Sequence, residues 1–576
     1  MLQPLLRVAT AALIAGACIA TGSAQRNGVR VWATHDGTKV LRDDLAHPDR
    51  NGNAVWDGKA VRLVSGRNET IAFQVIVEAA SRAASLEVSL APLVGSTGAA
   101  LDASVDVMAE HYLHVTQRTR ATWVFRPDTP AAPSTPLGWI PVALVPSSVP
   151  SGRASSVAAQ QTQAYWVELH VARSAAPTTY RGHVQVHADG ATTRVPVELE
   201  VLDVTLPDVP TLPTIVYYER SQTDLYHGRN MDREYHQFAH RHRVEFTHAY
   251  DDATVAAARS RFDGNAFARR VPASYAGPGL DTGNRVIPRT FYGPGRDFDT
   301  DESARTALQR WKTSLEGLTP LLTFVYLPDE PTPPQFARVK EIGTRVRNAA
   351  RGMGSPVKTF VTHGYTPELA DAVDIWAAVP AHYDVKRAAE ERKAGKQMWF
   401  YNGGRPQMGA IIVDAPATDP RVVGWAAFRH DVDGYFYWHA NHWRHNSQKK
   451  IGDRHQNVWV DPITFDNRAE GKSDNGIING DGVLVFPGED VLHPDQNRNH
   501  KGPIDTIQFA NLRRGLQDHM LLTMARAKGL NTEVQAALDA VVPRVLSDAG
   551  ERVGFSEDGN EFERARQSLL RALARR

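Results

Sequence analysis

Residues 321–332 read LLTFVYLPDEPT. Leu321, Leu322, Phe324, Val325, Tyr326 and Leu327 form a nearly continuous apolar run. Such a run predicts a strand buried on both faces, as in a parallel sheet covered by helices. Pro328 and Pro331 end it, and Asp329 and Glu330 lie between them. Acids at the carboxyl end of a parallel strand stand where barrel folds carry their chemistry. The pair equally suits the start of a helix, with Asp329 as N-cap. The stretch alone leaves both readings open.

The surroundings favour the strand. From residue 214 onward short apolar runs alternate with helical stretches, the pattern of βα units around a parallel sheet. Strands are expected at 214–219, 243–249, 321–327, 357–363, 373–379, 397–401, 423–428 and 434–438, and helices at 302–316 and 334–351. The count predicts a (β/α)8-type barrel. Residues 262–300, rich in Gly, Pro and Arg, read as a long loop or irregular insertion. Residues 452–504 are loop-like, with one strand expected at 482–488 (GVLVFPG). The tail, 505–528, 531–547 and 559–575, reads as a solvated, Arg-rich helical end-piece.

Before the barrel the period changes. Ile71, Phe73, Val75 and Val77 alternate with other residues, as do Tyr165, Val167, Leu169 and Val171, and Val195, Val197, Leu199 and Val201. Period-two alternation with one wet face predicts an N-terminal antiparallel β-sandwich. No catalytic constellation is visible in it. The sequence LPDVPTLPT at 206–214 reads as a stiff linker. The expected organisation is a signal peptide over 1–24, a β-sandwich domain over 26–205, the linker, a (β/α)8-like catalytic domain over 215–530, and C-terminal helices over 531–576.

At 576 residues the chain is too long for one core. Its 65 Lys+Arg balance 64 Asp+Glu, so no global field favours nucleic acid or a membrane surface. Arg7, the apolar run 8–20 and Gly22-Ser23-Ala24 form a cleavable secretory signal, so a secreted or periplasmic location is expected. The single cysteine, Cys18, lies inside that segment. Cleavage after Ala24 leaves no thiol or disulfide chemistry. Lipidation at Cys18 is disfavoured, because Ala15 is a poor leading residue for that motif.

If the strands line a barrel, their carboxyl ends carry the site. Those ends supply His248, then Asp329 and Glu330, then His363 and Tyr365, then Tyr401 and Asn402, then Trp438, Asn441 and Trp443. Aromatic faces stack on the C–H faces of sugar rings, while amides and carboxylates bind hydroxyls, so this set predicts a carbohydrate site. Ordinary glycosidases place two carboxylates on opposite sides of the scissile bond. Neighbours in sequence reach opposite faces of one sugar with difficulty. An Asp-Glu dipeptide suits the scheme in which the substrate's own 2-acetamido oxygen is the nucleophile. Asp329 would then hold the acetamido N–H, and Glu330 would protonate the leaving oxygen and later activate water.

Other constellations are weaker. His439, His442 and His445 are spaced at three, but no Cys and no HExxH motif accompany them. Asp461, Asp466, Asp474 and Asp481 do not fit an EF-hand. No P-loop, GxGxxG or GxSxG occurs, and neither cofactor nor metal is expected.

The order of YLPDEP, GYFYWHANHW (434–443), DGVLVFPG (481–488) and KGPIDTIQFANLRRGLQDHMLL (501–522) resembles glycoside hydrolase family 123 and the wider domain of unknown function 4091 group. The resemblance implies a β-N-acetylgalactosaminidase-like enzyme using an adjacent Asp-Glu pair, which maps onto Asp329 and Glu330. Gln508, Ala510 and Arg514 stand where related sequences carry Arg, Glu and Asp. Two further readings remain. One is a carbohydrate-binding protein on a hydrolase fold. The other is a conventional two-carboxylate glycosidase pairing Glu330 with an acid such as Asp384. The expected partner is a glycan or oligosaccharide in every case.

Overall fold

The computed structural model describes residues 28–576, apart from 126–128, 136, 319–321, 352–356, 448–453 and 467–475. The signal segment, Cys18 and Asp474 lie outside the described residues.

Eight parallel strands form the central sheet: β1 Thr214–Tyr217, β2 Glu245–Thr247, β3 Val286–Pro288, β4 Leu322–Tyr326, β5 Lys358–Val361, β6 Ile375–Ala378, β7 Gln397–Tyr401 and β8 Tyr435–Tyr437. Their order is β2-β1-β8-β7-β6-β5-β4-β3, so the last strand pairs back onto the first. The barrel is closed by backbone pairing everywhere except between β2 and β3. There the Glu245 carboxylate accepts the backbone N–H groups of Arg285 and Val286 at 2.8 and 2.9 Å. A side chain therefore completes the seam. Burial pushes the Glu245 carboxyl up to about 7, against the pull of those two N–H groups.

Side-chain parity follows from the strand period of two. Ile215, Phe324, Tyr326, Phe360, Ile375, Trp399, Tyr401 and Phe436 point inward and form the barrel's own core. Val216, Val325, Val361, Trp376, Phe400 and Tyr435 point outward into a second core shared with the helices. The nearly unbroken apolar run at 322–327 is thus a strand with two buried faces.

Two expectations within the barrel need correction. Residues 423–428 are not a strand but part of a helix, Val422–Arg429, in which Val422 to Phe428 are all buried. With apolar surroundings on every side, the helix shows no polar stripe to mark its period. The eighth strand is instead β3, three residues inside the stretch read as loop. Between β5 and β6 only a 3-10 turn, Pro367–Leu369, replaces the usual helix.

Residues 29–205 form two sheets that share one apolar cluster. In the first, Val29–His35, Glu69–Ala79, Gln161–Val171, Ala103–Val115 and Gly138–Pro146 pair antiparallel. The second is not wholly antiparallel, because Ala191–Thr205 runs parallel to Val61–Arg67. The first sheet is extended from far along the chain: Pro503–Thr506 pairs with Gly138–Pro146, and Phe486–Pro487 pairs with Pro503–Thr506. Of the strand expected at 482–488, only Phe486–Pro487 is extended, and Arg444–Ser447, Arg454–His455, Ile463–Asp466 and Ile477–Asn479 make a small sheet of their own.

Of the tail, the first helix is not solvated, whereas Asn531–Val541 and Gly559–Ala574 each keep an exposed face. Helix Ile507–Ala527 is buried along nearly its whole length. Arg513 and Arg514 are internal ion-pair partners: Arg514 Nε lies 2.7 Å from Asp36 and Arg513 forks onto Glu168, while the helix's Asp518 takes Arg421 Nε at 2.6 Å. Arg566, from helix Gly559–Ala574, reaches Glu69 at 2.9 Å. Asp36, Glu69 and Glu168 belong to the N-terminal half, so these pairs tie the two halves together. Removing one partner would strand a buried charge. Gln508, Ala510 and Arg514 are all buried in this packing.

Candidate active site

Strand β4 ends at Tyr326, and the chain turns through Pro328 into the exposed pair Asp329-Glu330. The helix-cap role is taken elsewhere. Thr332 and Gln335 form a reciprocal capping box before helix Phe336–Ala350. Both acids are therefore left at the barrel mouth.

Each acid is held differently. Asp329 Oδ1 accepts the Tyr326 hydroxyl and the Thr362 hydroxyl, both at 2.7 Å. Thr362 follows β5, and its Oγ1 also accepts the Glu330 backbone N–H at 2.9 Å. Glu330 has φ +40°, a left-handed conformation that costs a non-glycine residue of order 1–3 kcal/mol. That twist turns its side chain away from Asp329 and across the mouth, where the Tyr401 hydroxyl donates to Oε1. Burial and the nearby carboxylates push the Tyr326 and Tyr401 phenols well up, so both remain protonated donors. Tyr326 and Tyr401 share inward parity on their strands, which is what brings their hydroxyls up toward the acids.

The remaining expected residues divide. Trp438 is half-buried beyond β8. Its indole N–H donates to Asp481 Oδ1 at 2.9 Å, and its carbonyl accepts the Tyr292 hydroxyl. Asn402 is a clasp: its Oδ1 accepts the Trp438 N–H at 3.1 Å, and its own N–H meets the Phe436 carbonyl at 2.9 Å. His248 and His363 are half-buried, and each bonds its following residue's carbonyl through Nδ1.

Three expected site residues do not belong to the mouth. Tyr365 packs on Trp376 with ring centroids 5.1 Å apart, under the Arg387 guanidinium. Asn441 is fully buried, exchanging hydrogen bonds with the Glu219 backbone at 3.0 and 2.9 Å. Trp443 is also fully buried, donating to the Val485 carbonyl at 2.8 Å. Beyond His439 the chain turns into the core, so closeness to a strand end does not place these side chains at the opening. Asp384, weighed as a conventional partner acid, caps helix Val385–Lys393 by accepting the Lys386 and Arg387 N–H groups at 3.0 Å each.

His439 pairs with Glu219 at 3.5 Å and stacks edge-on to Tyr217. Among the described residues no group of three His, Cys, Asp or Glu is placed to hold a metal. No helix of the described residues is long and apolar enough to cross a membrane.

Sequence reading missed Tyr326, Thr362 and Tyr292. Tyr326 was visible as a residue of inward parity one turn of chain before the acids. Thr362 stands beside His363, at a strand end already singled out. Tyr292 follows the unrecognised β3.

A ligand against Asp329 and Glu330 would meet one carboxylate anchored on its neighbours and a second aimed across the opening. Residues 321–525 match the model of the glycoside hydrolase 123 catalytic domain. That stretch is similar to a family 123 glycoside hydrolase. The family match begins at the strand that carries the acid pair and runs into the buried helix Ile507–Ala527. A solved family 123 glycoside hydrolase from Clostridium perfringens, described for glycolipid glycan hydrolysis, superposes with TM-score 0.61. The match covers 95% of this chain and 97% of that one at 11% identity, a likeness of fold. A Parabacteroides merdae β-glucuronidase has TM-score 0.26 and 9% identity, over 71% and 47% of the two chains. A Bacteroides cellulosilyticus glycosyl hydrolase family 2 member has TM-score 0.22 and 9% identity, over 65% and 44%. No curated protein matches the chain.

Proposed function

We propose that this chain is a family 123 glycoside hydrolase that releases terminal 2-acetamido sugars, as a β-N-acetylgalactosaminidase-like enzyme, by a retaining, substrate-assisted mechanism. The observation that carries the reading is the unequal holding of two adjacent acids. Asp329 Oδ1 is committed to Tyr326 and Thr362. Its other oxygen is left to accept the acetamido N–H and to press the acetamido oxygen toward the anomeric carbon.

Glu330 is the proton carrier. It donates to the glycosidic oxygen as the C–O bond breaks and the acetamido oxygen bonds C1, giving an oxazolinium ion. It then takes a proton from the water that opens that ion, restoring the original anomeric configuration. Tyr401 holds its Oε1. The leading segment over 1–24 directs export, and the natural substrate is an extracytoplasmic glycan.

The test compares aryl 2-acetamido-β-glycosides with the matching 2-hydroxy sugars, with a thiazoline analogue of the cyclic intermediate as inhibitor. Cleavage of the acetamido series alone, blocked by the thiazoline, is expected. Glu330→Gln should lower turnover on poor leaving groups by about 10²–10⁴-fold, the usual worth of general acid catalysis. Asp329→Asn should cost comparably. Full turnover in either variant would overturn the assignment.

A further inference from the structure

The first sheet's segment 119–125 travels to the barrel mouth. Thr119 is tied to Asp414, its N–H and hydroxyl each reaching the carboxylate at 2.6 Å. Ala121 and Phe125 bridge to one another, and the Val124 carbonyl accepts the Arg405 N–H at 2.8 Å. Ala121, Val124 and Phe125 are buried with Ala410, Ile412 and Ile478. The turn is thereby pinned against the loop that follows β7, and Gly404 lies directly beneath the Trp123 carbonyl. Within this pinned turn Trp123 is 45% exposed.

Its ring is not isolated. Trp123 stands edge-on to Phe465 at 6.4 Å, and Phe465 lies 5.8 Å from Trp438. Trp123 and Trp438 also direct hydrogen bonds at the same carboxylate, Asp481. Trp438 in turn receives Tyr292, whose ring is 6.0 Å from that of Tyr326, the residue that holds Asp329. The aromatic ledge of Trp438, Phe465 and Trp123 is thus tied back to the acid pair through the Tyr292 hydrogen bond, and the N-terminal half supplies its outer end.

We infer that Trp123 forms a leaving-group subsite, stacking on a pyranose beyond the scissile bond, so that the substrate is an oligosaccharide or glycoconjugate rather than a simple glycoside. This rests on the reading of Asp329 and Glu330 given above. An exo-acting site holds the released sugar against the acids, so the remainder of the glycan must leave through the mouth, along the ledge. A large apolar ring kept exposed on a rigid turn, with its N–H already bonded to Asp481, offers a fixed face for the C–H side of a sugar. Pinning the turn in advance removes the ordering cost of forming such a contact.

The test uses the full chain and two probes. One is a reducing-end-labelled oligosaccharide carrying a terminal β-linked 2-acetamido sugar on at least two further pyranoses. The other is a 2-acetamido-β-glycosyl fluoride, whose one-atom leaving group cannot reach Trp123. The expected result is that Trp123→Ala lowers the oligosaccharide-to-fluoride ratio of kcat/KM about tenfold, the upper range for one aromatic stack, while Trp123→Tyr keeps the ratio near wild type. An unchanged ratio in Trp123→Ala would overturn the subsite and leave the acid-pair reading standing. If the wild type cleaves neither probe, the acid-pair reading falls and the subsite with it.

Discussion

The Thr362 hydroxyl accepts the Glu330 backbone N–H at 2.9 Å, and by this bond β5 holds the neighbouring strand's acid in a left-handed conformation. The same hydroxyl donates to Asp329 at 2.7 Å, so one oxygen fixes both members of the pair. Thr362 is itself buried. It acts through the two acids and is a positioning residue.

Thr362→Val keeps the shape and removes both hydrogen bonds. We expect kcat to fall at least tenfold with KM changed less, and Thr362→Ser to restore most of kcat. Steady-state kinetics on an aryl 2-acetamido glycoside would check this. Equal losses in the Val and Ser variants would point to packing instead.

Tyr401→Phe removes the donor to Glu330 Oε1 and leaves the ring packed against Phe436, which lies 6.0 Å away. The acid should then wander from its aim. Turnover should fall roughly tenfold or more on substrates with poor leaving groups, and less on a 2,4-dinitrophenyl glycoside, which needs little protonation. A leaving-group series run on both proteins measures the difference.

Glu245→Ala opens the β2–β3 seam by depriving the Arg285 and Val286 N–H groups of their acceptor. Arg285 is exposed and can turn to water, but Val286 is buried, and an unsatisfied buried donor costs about 1–3 kcal/mol, so the barrel should lose a few degrees of Tm by calorimetry. Glu245→Gln keeps one acceptor oxygen and should lose less.

Glu110 gives a pH prediction with a definite sign. The residue is 2% exposed, both carboxylate oxygens lack a partner, and burial pushes its pKa up to about 8 from the ordinary 4.5. Between those values the folded chain holds a proton that the unfolded chain has released. Stability therefore falls as pH rises through that window, by up to about 1.4 kcal/mol per pH unit. Glu110→Gln should narrow the gap between Tm at pH 5 and at pH 8. An unaltered gap would place the titration elsewhere.

The acid pair and its strand were legible in sequence because an apolar run closed by prolines fits a strand buried on both faces better than any amphipathic element. Its partners were not, since Tyr326 and Thr362 gain their roles only when β4 and β5 lie side by side. Helix 422–429 looked like a strand for the converse reason: buried on all sides, it carries no amphipathic period, and its Gly424 packs directly on the Gly515 backbone. Strand β3 was hidden by its three-residue length and by a seam completed through a side chain rather than a ladder. Asn441 and Trp443 followed a strand end, but the chain turns inward after His439. Trp123 lay in a segment with no catalytic pattern of its own, and only the path of 119–125 over the barrel gives it a setting.

The strand Pro503–Thr506 sets an order of events during synthesis. The outer edge of Gly138–Pro146, at Ala143 and Leu144, receives its neighbour only from residues made more than three hundred positions later. While the ribosome adds the barrel, that edge of the first sheet is an open template for stray strands. The N-terminal half thus waits for the C-terminal half to seal it. A barrel cut out at the proline linker would carry away the strand that completes the half left behind.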